Sequence, residues 1–221
     1  MFIELVDKLR CPQPHDDTWL VASVTRLEGR YVAEGALGCP ECHRQYPVRA
    51  GMVDFRNDVP AEPESPAQEA AERADGAPIS PGDEAVMRAA ALLGLDEGGG
   101  VIVLAGGTGV LAAALESMSS ANALLLNPSA AVAVGAGISS MRADGIVPLV
   151  PGCVRGAMVD SESANAGVLQ GLVRALRPAG RLVAPASVPL PAGVKELARD
   201  DREWVAEAEG STSAPVRLRR G

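Results

Sequence analysis

The 221-residue sequence predicts an α/β protein: a doubly wound, mostly parallel sheet with helices on both faces, preceded by a small β-rich unit. Three observations carry that prediction. Beyond residue 84, short apolar runs alternate with stretches of helical period. VIVLAGGTG, at 101–109, passes from a buried strand into a glycine turn, and Cys11, Cys39 and Cys42 fall in two short turns, LRCPQPH and GCPECHRQYP.

The elements follow in order. Residues 1–57 form the cysteine-bearing unit, and residues 58–83, rich in Pro, Ala and Glu, bury too little apolar surface to offset the entropy of ordering and read as a linker. Residues 84–221 form the body. Its predicted elements begin with a helix at 84–95, a strand at 101–106, a helix at 111–118, a strand at 121–127 and a helix at 130–141. Strands at 145–150 and 156–160, a helix at 168–178, a strand at 180–186 and a helix at 193–201 follow, and a closing pair of strands at 202–209 and 214–220 ends the chain.

Composition bounds the function. Hydrophobic residues make up 47% of the chain, enough for a sizeable core. The longest apolar stretches are broken by GGTG and by Asn127, Pro128 and Ser129, so no membrane span of about 20 residues is expected. MFIELVDKLRCP carries Glu4 and Asp7 and no long apolar run, which does not suit a secretory signal, and a cytoplasmic location is expected. The net charge of −8 comes almost wholly from residues 58–84, which hold eight acidic and one basic side chain. Proteins that neutralise phosphates cluster Lys and Arg; only RLRR at 217–220 does so here, as a solvated tail, so no nucleic-acid partner is favoured.

In a cytosolic chain CPEC reads as half of a zinc knuckle rather than a disulfide frame. Three residues after Cys11, where a second cysteine is expected, stands Pro14; His15 is the nearest substitute, and His43 the other histidine. Two readings stay open: zinc held by Cys11, His15, Cys39 and Cys42, or a metal-free unit held by Trp19, Tyr31, Tyr46 and Phe55. Cys153, with no partner base in sight, reads as a buried inert thiol.

LRCP followed by CPECHRQYPVRAGMVDF resembles a small zinc-ribbon family whose eukaryotic and archaeal members are activator subunits of tRNA and rRNA methyltransferases. The resemblance covers residues 1–57 and implies metal ligands at Cys11, Cys39 and Cys42, a break at Pro14, and a habit of binding partner proteins. VIVLAGGTG, LLLNPS and RALRPAGRLV resemble the class I S-adenosylmethionine-dependent methyltransferases over residues 84–221, implying a Rossmann-like seven-stranded sheet.

Against that family's pattern, Val103 replaces the first-strand acid and Ala105 the first glycine, while Gly107 and Gly109 remain. Asn127 replaces the acid that accepts from the ribose hydroxyls, and Arg155 lies near the expected acid of strand four. Together these changes remove two or three charge-assisted hydrogen bonds of roughly 1.5–3 kcal/mol each, so S-adenosylmethionine is not expected as a cofactor. The body has no His or Tyr to act as base or stacking platform, and Asp144, Asp160 and Glu162 read as solvated loop acids. The expected function is a non-catalytic, methyltransferase-like accessory or scaffold subunit that binds partner proteins in a larger assembly, with zinc its cofactor. The alternative is an active methyltransferase on RNA, protein or a small molecule, with Gly107, Gly109 and Asn127 lining the cofactor.

Overall fold

The computed structural model describes residues 1–56, 81–95, 99–129, 135 and 137–209. Residues 58–80 of the expected linker at 58–83, residues 130–134 and 136 of the expected helix at 130–141, and the expected strand at 214–220 lie outside them.

Among the described residues eleven strands form one mixed sheet: β1 (Val21–Glu28), β2 (Tyr31–Gly38), β3 (Gln45–Arg49), β4 (Met52–Asp54), β5 (Val101–Ala105), β6 (Asn122–Leu126), β7 (Ile138–Arg142), β8 (Val154–Val159), β9 (Leu176–Pro185), β10 (Val194–Arg199) and β11 (Glu203–Ala208). Their spatial order is β1-β2-β3-β4-β7-β6-β5-β8-β9-β11-β10. The body accounts for the last seven, and β11 runs antiparallel to β9 within them. The expected seven-stranded sheet is therefore extended to eleven, because the N-terminal antiparallel strands join it edge to edge through parallel pairing of β4 with β7. Pairing satisfies a row of backbone groups on β7 that an edge strand would leave open.

Among the described residues three α-helices pack on this sheet: α1 (Asp83–Leu93), α2 (Ala112–Met118) and α3 (Ala166–Ala175). In α1, Val86, Ala89 and Leu93 recur at helical spacing and are buried, while Asp83 and Glu84 sit in the first turn where the helix dipole favours acids. The helix stops at Gly94, whose left-handed φ of 66° lets the chain turn back onto the carbonyls of Ala90 and Ala91. In α3, the Asn165 side chain caps the first turn by accepting from the Val168 N–H at 3.0 Å.

Alternate residues of β5 feed the two sides of the sheet. Ile102 and Leu104 pack with α1 and α2, and Val101, Val103 and Ala105 pack with α3 in a core that runs on into Leu5, Leu9, Tyr46 and Phe55. All five β5 residues are buried, which explains a continuous apolar run without alternation.

Several expected elements differ. The predicted helix at 130–141 contains strand β7 at its C-terminal end; Ser139 and Ser140 are buried between β6 and β4, and small residues there give no periodicity to tell strand from helix. The predicted helix at 193–201 is strand β10, an edge strand whose pairing with β11 overrides the helix propensity of Lys195, Glu196, Leu197 and Ala198. Its last residues begin a hairpin turn: Asp200 Oδ1 accepts from the N–H groups of Arg202 and Glu203, both at 2.9 Å. β10 and β11 form an antiparallel pair, and β11 covers the expected strand at 202–209. The predicted strand at 145–150 reduces to a bridge between Leu9 and Leu149. Trp19, expected in the N-terminal core, is 56% exposed and stacks on the Arg10 guanidinium, while Tyr46 and Phe55 do pack, with ring centroids 4.8 Å apart.

Candidate functional site

The sequence-predicted site residues fall into two places. Among the described residues, one Cys/His cluster has metal-ligand chemistry: the ligand atoms of Cys11, His15, Cys39 and Cys42 all lie within 4.8 Å of one another. The knuckle that carries two of them closes with the His43 N–H donating to the Cys39 carbonyl at 3.0 Å and the Cys39 N–H donating to the Arg44 carbonyl at 2.9 Å. His43 takes the left-handed conformation at the turn and is outside the cluster. Cys11 and Cys42 have their sulfurs 3.7 Å apart, and Cys39 Sγ is 3.4 Å from His15 Nε2. Zinc bonds of about 2.3 Å to sulfur and 2.0–2.1 Å to nitrogen make tetrahedron edges of about 3.8 and 3.5 Å, close to these separations.

The histidine is oriented for that use. His15 Nδ1 lies 2.7 Å from the Asp16 carbonyl and 3.2 Å from a Glu41 carboxylate oxygen, so in the neutral ring it is the protonated nitrogen and Nε2, facing the thiols, has the lone pair. Without a metal the same carbonyl contact raises the imidazole to about 9, so a metal bound there would displace the Nε2 proton. Burial pushes the Cys11 thiol up to about 11. For Cys42 burial also acts upward, but hydrogen bonds from the Arg44 backbone, Cys39, His15 and Cys11 outweigh it and bring the thiol to about 7. Four donors of soft and borderline type at tetrahedral spacing fit zinc.

The second place is the switch point of the sheet, where strand order reverses between β5 and β8. The glycine turn, Gly106–Leu111, follows β5 there. Val103 is fully buried in the apolar core it shares with α3. Asn127 has φ 47°, and its amide is committed: Oδ1 accepts from the Ala143 N–H and Nδ2 donates to the Ala143 carbonyl, each at 2.9 Å. It ties the end of β6 to the segment after β7, imitating a backbone pair.

Two expectations are corrected here. Arg155 begins β8, at the end of the strand away from the glycine turn, and its guanidinium donates to the carbonyls of Gly94 and Gly99. The acid at the strand-four end is Asp160, which is no solvated loop side chain: Oδ2 accepts from the Gly107 N–H at 2.6 Å and Oδ1 from the Ser163 N–H at 2.8 Å. Burial pushes its carboxyl upward, yet these hydrogen bonds prevail and hold it below the usual carboxylate range. Sequence reasoning missed this contact because it joins residues 53 apart, and strand order alone brings them together. Cys153 is partly buried, and burial pushes its thiol up, as an inert thiol requires.

Strand order and the glycine turn at the switch point define a doubly wound α/β sheet. No family model matches the sequence, and no curated protein does. Solved structures of methyltransferases overlay on part of it. A geranyl diphosphate methyltransferase in complex with GPP and sinefungin matches at 19% identity and a TM-score of 0.39, over 46% of this chain and 43% of that one. The antibiotic-resistance methyltransferase Kmr matches at 16% identity and 0.39, over 57% and 93%. A chain from the complex between the Haloferax volcanii Trm112 methyltransferase activator and a methyltransferase matches at 13% and 0.42, over 56% and 89%. The chain thus spans under half the length of the geranyl diphosphate enzyme.

Proposed function

We propose that the chain is a methyltransferase-shaped accessory protein that binds partner proteins and transfers no methyl group itself. In this reading a zinc-bearing unit at residues 1–57 is joined through an acidic linker at 58–83 to the Rossmann-like body at 84–221, and the protein works in the cytoplasm as part of a larger assembly. The observation that carries it is the Asn127 amide, spent on the Ala143 backbone where a ribose-binding acid would be needed. An uncharged acceptor already holding an N–H offers a ribose far less than a free carboxylate. The partner reading is supported by β1, the last strand of the sheet, which exposes Val21, Val24 and Leu27 beside Trp19.

Calorimetric titration of the wild-type chain with S-adenosylmethionine tests the proposal. Silence at millimolar ligand is expected; a low-micromolar dissociation constant would overturn it. One observation favours the second reading, an active methyltransferase: Asp160 places a carboxylate directly on the glycine turn, where a cofactor would meet it. The same titration decides between them. For the cluster, metal analysis of purified protein is expected to find about one zinc per chain, and Cys39→Ala to lose it.

A further inference from the structure

The three thiols of the Cys/His cluster are not equivalent. Cys11 and Cys39 are buried, at 7% and 3% exposure, whereas Cys42 is exposed. Cys11 also has the Tyr46 hydroxyl against its sulfur at 3.1 Å. A solute that attacks sulfur therefore meets Cys42 first. Cys11, 31 residues away in sequence, brings its sulfur to 3.7 Å from that of Cys42, and a disulfide bond of about 2.05 Å asks for little further approach. Cys39 is engaged elsewhere: its sulfur faces His15 Nε2 at 3.4 Å, and its N–H and carbonyl both close the knuckle.

We propose that Cys42 is an oxidation site resolved by Cys11: a peroxide converts the pair to a Cys11–Cys42 disulfide and strips the cluster of its metal. The inference rests on the reading that the cluster holds zinc. The Cys42 thiolate attacks one peroxide oxygen, an S–O bond forms as the O–O bond breaks, and the departing hydroxide takes a proton from solvent to become water. The Cys11 thiolate then attacks the Cys42 sulfur, an S–S bond replaces the S–O bond, and a second hydroxide leaves and is protonated in turn. Two thiolates lose two electrons, and one peroxide gains them. Of the four ligands only Cys39 and His15 remain, two short of the tetrahedron that zinc requires. In a reducing compartment such a bond is transient, as in a sensor rather than a structural staple.

Hydrogen peroxide, added to the full zinc-loaded chain, tests it. Released metal is followed with a chromogenic chelator, free thiols are capped, and unreduced peptides are mapped by mass spectrometry. Zinc should be lost in proportion to peroxide, about one ion per disulfide, with Cys11–Cys42 the main linkage and Cys39 and Cys153 recovered capped. Dithiothreitol with added zinc should restore the metal, and Cys153→Ser should lose zinc at the wild-type rate. A main Cys39–Cys42 linkage, a Cys42 sulfinic acid without cross-link, or zinc retained with every thiol reduced overturns the proposal. The two ideas fail separately. Metal analysis before peroxide decides whether zinc is held, and the metal-free chain, treated alike, should give the same Cys11–Cys42 link.

Discussion

At the scale of single residues, the glycine-turn end of the sheet is held by two polar side chains, Asn127 and Asp160, that bond to the chain's own backbone. Asn127 needs both its donor and its acceptor for Ala143, so Asn127→Asp, which nominally restores an acid, should destabilise the fold instead. A carboxylate facing the Ala143 carbonyl loses one bond and gains repulsion, for about 1–3 kcal/mol, read as a lower midpoint in urea without any gain of S-adenosylmethionine binding. Asp54, on β4, carries a pH signature. Burial pushes its carboxyl up, but the bidentate Arg56 guanidinium and nearby Arg142 hold it below its ordinary value. A folded pKa below the unfolded one contributes stability above the unfolded pKa, and that contribution is lost as pH falls through the folded value. Asp54→Asn should therefore cost about 1 kcal/mol at neutral pH, discounted for the part-exposed Arg56, and the gap to wild type should close below about pH 4.

Among elements, the short strand β4 matters beyond its length because it joins the N-terminal strands to the body. Met52, Val53 and Asp54 pair in parallel with Ser140, Met141 and Arg142, and the Phe55 N–H extends the seam by donating to the Arg142 carbonyl at 2.8 Å. Phe55 is also buried against Tyr46. Phe55→Ala should cost about 3–5 kcal/mol, read as a lower midpoint in urea. The sequence made α1, α3, β5 and β6 legible because each buries a periodic stripe or a continuous apolar run bounded by Gly, Asn or Pro. It misread β10 because Lys, Glu, Leu and Ala favour a helix locally, while the β11 edge offers an unpaired row of backbone groups that propensity cannot see. The Arg88 guanidinium, bonded to Asp200 and Glu203, then fixes α1 against that same hairpin.

For the whole molecule, one apolar core runs from Met1 and Leu5 through Tyr46 and Phe55 to Val103, Leu172 and Trp204, under a single eleven-stranded sheet. Shared packing of this kind couples the two ends, so heat should unfold the chain in one transition, with calorimetric and van't Hoff enthalpies equal, and a chelator should lower that transition as a whole rather than split it. Two separated transitions would contradict the coupling. The sequence by itself determined the alternation of helix and strand, the glycine turn and the four cluster residues, because period, Gly and Cys spacing are local quantities. Tertiary structure alone decided that the N-terminal strands would extend the body's sheet, and that Asp160 would reach Gly107 while Arg155 pointed away. Strand order sets which distant residues become neighbours, and no local feature of the chain encodes it.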